Sequence, residues 1–385
     1  MIPIYLDNAA TSHPKPSSVY AAVLDAMQHL GASPGRGSYA AALAASRILF
    51  DTREILAAFF HVEDSSRIIF THNATEALNL AVRGLLSPGD HAVTTSMEHN
   101  SLLRPLVMLQ QAGVIELTVV QADAEGLVDP EVIRHALRSD TRLVALAHVS
   151  NVTGGIQPVA EIAAIARAAG VPVLLDAAQS AGCLPINMQS FGVDILAAPG
   201  HKGLLGPQGT GLLAVAPGVR LRPLLAGGTG SSSDQDQQPD EFPEGFEAGT
   251  HNLPGIAGLR AAVTFLAATG LDAITCHEQS HGLYLRERLS QLPGCRCYGP
   301  SDPSRRQGLL SLTVDGWDPA ALAFRLDRDY GIAVRAGLHC APRAHRTIGS
   351  YPTGTLRISP GWFSTPDDLE RCCTALAAII QKGTP

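Results

Sequence analysis

Val171-Pro172-Val173-Leu174-Leu175-Asp176-Ala177-Ala178-Gln179 decides how the chain is read. Its first half is a short, continuous apolar run, the pattern of a strand buried on both faces of a parallel sheet. Asp176 then stands at the C-terminal edge of that strand, where open α/β sheets gather their ligands. Other apolar runs share this character: Ile68-Ile69-Phe70, Ala92-Val93-Thr94, Leu143-Val144-Ala145-Leu146 and Asp194-Ile195-Leu196. Between them, Leu102 to Gln111 and Val159 to Ala169 space their apolar residues as helices do. Strands alternating with helices predict an α/β fold with parallel strands joined by crossover helices.

Downstream of Asp176 lies Ala197-Ala198-Pro199-Gly200-His201-Lys202-Gly203. A carboxylate at a strand end followed by a lysine after the next strand suits a cofactor that carries an aldehyde. Pyridoxal 5'-phosphate needs an amine to condense with, an acid to keep its ring nitrogen protonated, and donors for its phosphate and ring hydroxyl. Lys202 offers the amine, Asp176 the acid, and Gln179 can reach the ring oxygen. Either residue alone would equally suit a helix cap or a solvated surface lysine. Asn73-Ala74-Thr75-Glu76 follows the first strand with the residues of a capping box, and the helix it opens presents free N–H groups and the Thr75 hydroxyl. That is an ordinary capped helix or an anion site for the phosphate.

Near the C-terminus, Val334-Arg335-Ala336-Gly337-Leu338-His339-Cys340-Ala341-Pro342 sets one thiol in a glycine-containing loop between cationic neighbours. Such surroundings favour a thiolate nucleophile over an inert packing cysteine. Arg357, in Thr355-Leu356-Arg357-Ile358-Ser359, alternates with apolar residues on a strand. A guanidinium there can clamp a carboxylate through two parallel hydrogen bonds, and an unpaired interior arginine would be costly, so a ligand role is expected.

Taken together, these segments resemble the cysteine desulfurases, in the branch with a short loop around the cysteine, the SufS-like and selenocysteine-lyase-like enzymes. The resemblance runs nearly end to end, through Tyr5-Leu6-Asp7-Asn8-Ala9-Ala10-Thr11, Phe70 to Asn79, Met97-Glu98-His99-Asn100, Ser150-Asn151-Val152-Thr153-Gly154, Glu247-Ala248-Gly249-Thr250, Arg335 to Pro342 and Gly354 to Ser359. It implies a fold-type-I pyridoxal phosphate transferase with a mainly parallel large domain, residues 16–254, and a smaller α+β domain formed by residues 1–15 and 255–385. Lys202, Cys340 and His99 become the catalytic residues. His99, otherwise a helix-start or core histidine, stacks on the cofactor ring. Ala74, Thr75, Asn151, Asp176, Gln179, His201 and Thr250 join His99 and Lys202 in holding the cofactor, with Thr250 given by a partner subunit. Asn151, Arg335 and Arg357 bind substrate. Ala74 and Pro199 depart from the family pattern, standing where many relatives carry a hydroxyl residue, and Pro199 has no N–H to replace it.

The implied reaction takes L-cysteine to L-alanine, leaves the sulfur as a persulfide on Cys340, and passes it to a protein or small-thiol acceptor. Selenocysteine lyase and cysteine-sulfinate desulfinase use the same site and remain the near alternatives, with a non-catalytic sulfur-pathway scaffold the distant one. A homodimer is expected from the resemblance. The net charge of −7 and pI near 6.0 give no basic face for nucleic acid. No apolar stretch matches a membrane span and the first residues lack a signal-peptide pattern, so a cytoplasmic protein is expected. Seven cysteines make no C-x-x-C pair, so neither a metal site nor a disulfide framework is expected. Gly227 to Gly245, rich in glycine, serine, aspartate and glutamine, is expected to be a mobile loop.

Overall fold

The computed structural model describes residues 3–35, 37–230 and 234–383. Its thirteen strands in those residues form three sheets. After β1 (Ile4–Tyr5), seven strands build the central sheet: β2 (Ile68–Thr71), β3 (Asp90–Thr95), β4 (Ile115–Val120), β5 (Thr141–Ala147), β6 (Val173–Asp176), β7 (Ile195–Pro199) and β8 (Gly211–Val215). Their spatial order is β2-β8-β7-β6-β5-β3-β4. Every pair from β7 to β4 is parallel, and β8 runs antiparallel to both β7 and β2. Because β2 and β7 both oppose β8, β2 points the same way as the parallel strands. The C-terminal ends of β2, β3, β5, β6 and β7 therefore share one edge of the sheet.

β7 and β8 are apolar throughout, and β6 is apolar up to Asp176, because helices cover both faces. Leu174, Leu196 and Leu213 are fully buried, each worth about 1.5–3 kcal/mol against exposure. Among the covering helices are α1 (Ser17–His29), α2 (Ala40–Phe60), α3 (Ala74–Leu85) and α4 (Asn100–Gln111). The five strands read from apolar runs are all present. β4 and β8 complete the sheet: β4 lies at its edge, where its side chains are mixed in burial, and β8 is a short apolar run in the reverse direction.

A second core gathers β9 (Cys295–Cys297), β10 (Leu310–Val314), β11 (Ile332–Ala333), β12 (Arg335–Gly337), β13 (Thr355–Ile358) and the helices around them. Ile4 and Leu6 belong to it through the parallel pairing of β1 with β11. The helix Leu253–Thr269 buries Ile256, Leu259, Val263 and Leu266 in the core of the large sheet, as does Ile274 just beyond it. A division placed at residue 254 would cut this packing, so the small core begins later, in the helix Leu271–Leu289, which supplies Leu285 and Leu289. Residues 227–245 hold one short helical turn, Glu244–Phe246, in otherwise irregular backbone, and 231–233 of that stretch lie outside the described residues.

Candidate active site

Seven of the expected residues come together because each stands at or just after the end of a strand on the same sheet edge. Ala74 and Thr75 open α3 after β2, His99 caps α4 after β3, and Asn151 follows β5. Asp176 ends β6, and His201 and Lys202 follow β7. Together with Gln179 they line one pocket. The Asn73 side chain accepts from the Glu76 N–H at 3.0 Å, capping α3. The reciprocal half of the box differs from expectation, since Glu76 takes the N–H and ring of His72, at 2.6 and 2.8 Å, instead of the Asn73 N–H.

Lys202 is held from below. The Thr11 and Ser12 hydroxyls and the Lys15 amine all donate to the His201 carbonyl, at 3.2, 3.2 and 2.7 Å, and the Ser12 hydroxyl reaches the Lys202 carbonyl at 2.9 Å. Gly203 packs on the turn after Gln179 so closely that a Cβ would collide with the Cys183 sulfur and the Ala181 carbonyl. Burial lowers the Lys202 amine to about 8, with the positive charges of Arg357 and Arg335 adding to the effect and Asp176 and Cys340 opposing it. No described residue accepts a hydrogen bond from that amine. Burial raises the Asp176 carboxyl while the Ala178 N–H, 2.9 Å from one oxygen, and the Lys202 charge act the other way.

The His99 ring accepts from the Ser101 N–H at Nδ1, 3.0 Å, so the proton of the neutral ring sits on Nε2. Burial, then the charge of Lys202, lowers this histidine to about 4, and His201 falls to about 4 for the same two reasons. Both rings are therefore neutral at physiological pH. The buried His201 Nδ1 has no partner among the described residues.

Beside this pocket stands a second group on β12, β13 and the loop between β12 and the helix Pro342–Thr347. Arg335 and Arg357 are cross-strand neighbours. Arg335 brings a cation 3.7 Å from the sulfur of Cys340, which is exposed. Arg357 is 1% exposed, yet it is not unpaired: it meets Asp7 at 2.8 Å and the Asn151 carbonyl at 3.0 Å. Its Nε alone lacks a partner. The Asn151 amide donates to the His339 carbonyl at 2.7 Å, so one continuous chain of contacts runs from Asp7 through Arg357 and Asn151 to the Cys340 loop.

Two amides expected on the cofactor are partly engaged elsewhere, Asn151 as just described and Gln179, whose nitrogen donates to Ala9 at 3.0 Å. Thr250 lies outside the pocket of its own chain, lining a separate cleft with Phe70, Glu76 and Asn252.

Against known proteins, the class-V aminotransferase family pattern matches residues 4–372. The chain is 38% identical to a "Probable cysteine desulfurase" from Methanothermobacter thermautotrophicus, over 99% of this chain and 95% of that one. It belongs to the cysteine desulfurase group of the class-V aminotransferases. Among solved structures, the apo cysteine desulfurase of Thermococcus onnurineus superimposes with a TM-score of 0.93 at 33% identity, covering 99% of this chain and 95% of that one. The Escherichia coli cysteine desulfurase CsdA gives 0.88 at 29%, with the same coverage.

Within this class-V aminotransferase, three residues carry weight that sequence reasoning did not assign. Asp7 neutralises Arg357. Glu247 accepts from the Phe70 N–H at 2.6 Å and from His251 at 2.7 Å and pairs with Arg53, fixing the segment that carries Thr250. Glu98 is buried behind the strand ends. All three sit inside motifs already noticed, and that position was the available signal.

Proposed function

We propose that the chain is a pyridoxal-phosphate-dependent cysteine desulfurase, forming L-alanine from L-cysteine and holding the sulfur on Cys340 as a persulfide until a protein or small thiol removes it. The observation that carries this reading is a half-buried lysine, its amine without an acceptor among the described residues, sharing one pocket with Asp176 and paired with an exposed cysteine joined to the same site through Asn151 and Arg357. The pocket fits the cofactor. A free amine, an acid with one oxygen uncommitted, an unpartnered histidine nitrogen and the open start of α3 are the donor set that pyridoxal phosphate requires.

Ala74 and Thr75 at the start of α3, with His201, would hold the phosphate, Asp176 the ring nitrogen, and Asn151 and Gln179 the ring oxygen. His99 would face the ring as a neutral imidazole. When bound, the cofactor supplies a sink for the electrons left on the substrate's α-carbon.

Arg357 uses its remaining N–H to orient the substrate carboxylate, and Arg335 keeps a cation beside the attacking sulfur. Lys202 takes the α-proton in its uncharged form and later returns one to carbon. The Cys340 thiolate attacks the substrate sulfur, so an S–S bond forms as the C–S bond breaks and its electron pair passes to the carbon framework. That framework takes up protons and leaves as alanine.

A homodimer belongs to the proposal. Tyr20, Leu24 and Met27 recur at helical spacing on α1, and Leu43 and Phe50 follow on α2; all are exposed large apolar side chains that a second copy would cover. The same copy would bring Thr250 of the partner subunit to the phosphate. No single helix among the described residues is long and apolar enough to cross a membrane. All seven cysteines are free, which suits work in the cytosol.

The test is a visible absorption spectrum of the purified protein before and after L-cysteine, with alanine and sulfide assayed in the same tube. A cofactor band that changes on addition, with alanine released, is the expected result. A band unchanged by cysteine would move the substrate elsewhere.

A further inference from the structure

Glu98 has no role in the scheme above, yet it sits where two of that scheme's residues are fixed. It is the residue before His99 on the turn leaving β3, and it is 1% exposed. One carboxyl oxygen accepts from the Ala147 N–H at 2.8 Å. The other meets the Thr95 hydroxyl at the end of β3, whose oxygen accepts from the Met97 N–H at 3.1 Å. Ala147 ends β5, lines the pocket, and lies in register with Asp176 on β6. The Glu98 carboxyl is thus tied on one side to the turn that places His99 and on the other to the backbone beside Asp176.

Glu98 beyond β3 and Asp176 at the end of β6 flank the end of β5, and two carboxyls so withdrawn from water disfavour each other's ionisation. Lys202 acts on Asp176. Glu98 has no such partner. Burial pushes it up to about 8, the Thr95 and Ala147 hydrogen bonds oppose that rise, and the charge of Asp176 on β6 adds to it. Its neighbours on β3 and β5 contribute only neutral donors.

We propose that Glu98 is a positioning residue whose carboxyl, held by the Thr95 hydroxyl and the Ala147 N–H, clamps the turn before α4 to the end of β5 and leaves Asp176 as the carboxylate that would serve the ring nitrogen. The inference rests on the reading of Asp176 as the ring-nitrogen partner. It accounts for a buried acid that a purely structural role would leave better replaced by an apolar residue.

The experiment uses the full chain loaded with pyridoxal phosphate, as wild type and as E98Q, E98A and D176N. It follows the absorption band against pH, kcat and KM for cysteine, and the melting temperature of the apoproteins. E98Q, which keeps the shape and lacks the charge, is expected to retain the wild-type band and its pH midpoint and to rescue kcat to within a fewfold. E98A, with the clamp cut, is expected to shift the band's midpoint and lower kcat tenfold or more with KM little changed.

The apoprotein supplies an independent reading. A carboxyl raised on folding stabilises the chain fully below its unfolded value, and that contribution is lost as pH rises through about 8. Wild type should therefore lose melting temperature relative to E98Q between pH 6 and pH 9. A band midpoint as displaced in E98Q as in E98A would show that Glu98 acts as an anion and overturn the proposal. So would an E98A enzyme with native band and kcat. Should E98A fail to fold, the E98Q midpoint and the pH-dependent melting difference decide alone. D176N failing to alter the band would sink the Asp176 reading, and it would do so whatever the Glu98 variants show.

Discussion

Apart from Thr250, every residue of the cofactor cradle stands within four positions of the end of a central-sheet strand, whereas Cys340 hangs on a tight turn whose His339 and Cys340 both take left-handed backbone angles, φ 47° and 59°. The cradle inherits its geometry from the sheet, and no lined-up residue there except Thr250 depends on a loop finding its own shape. Side chains dislike the left-handed region by about 1–2 kcal/mol per residue, so the turn holds its shape only because neighbours insist on it. The Asn100 N–H donates to the Cys340 carbonyl at 2.8 Å, Asn151 to the His339 carbonyl, and the His339 ring meets the Thr355 hydroxyl at 3.0 Å. One half of the site is placed by burial and the other by a few hydrogen bonds. The half that must hold an exposed, reactive sulfur and then surrender it is the half that packing fixes least.

The sharpest way to break this comparison is to remove one reactive group from each half. Lys202→Ala should cut alanine release by more than about 10³-fold while the circular dichroism stays native. Cys340→Ala should cost at least about a hundredfold with cysteine yet leave cofactor binding untouched, because the cradle meets the loop through the His339 backbone and not through the thiol. A Cys340→Ala enzyme with an altered cofactor band would show the halves to be coupled. Arg357→Lys comes next. A lysine cannot serve Asp7, Asn151 and a substrate carboxylate together, so KM for cysteine should rise by roughly ten- to a hundredfold, the equivalent of about 1.4–3 kcal/mol.

Uptake of pyridoxal phosphate by the apoprotein tests the cradle alone. Lys202 is lowered to about 8, and only its uncharged amine reacts, so the uptake rate should climb with pH and level off above about 8. A rate still rising toward the ordinary lysine range near 10 would contradict the burial argument. The smallest effect probes the loop. Gly337 has φ 106° with nothing within 4 Å of where a Cβ would stand, so Gly337→Ala adds strain without a clash. A loss of about 1–2 kcal/mol is expected, together with slower persulfide formation. Gly89→Ala, equally open at φ 89° and remote from the loop, should show the loss of stability without the loss of rate.

Legibility in the sequence follows the same division. Val173-Leu174-Leu175 before Asp176 announces both a buried strand and the residue at its end, because a strand covered on two faces leaves an unbroken apolar run. β8 leaves a similar run in Gly211 to Val215, but nothing local says that it runs backwards between β2 and β7. Strand order is set by contacts across the chain. Arg357 is plain as a buried charge on an alternating strand, while its neutralisation by Asp7 joins residues 350 positions apart. Glu98 is hidden for a different reason: an acid next to a functional histidine reads as solvent-facing, and only the fold shows that it is buried. The helix Leu253–Thr269 straddles the expected boundary at residue 254, and only the folded chain shows that its apolar residues join the core of the large sheet.

The segment that steadies Lys202 has a consequence for how the enzyme is made. Ile4 meets its partner strand only at Ile332, and Ser12 and Lys15 reach the lysine loop from the far end of the chain. The pairing of Ile4 with Ile332 joins residues 328 positions apart, and such long-range closures come late in folding. A folding chain can assemble the sheet and its pocket before the segment that carries Ser12 and Lys15 is fixed from both sides. Competence to bind the cofactor tightly then follows the docking of β1 on β11.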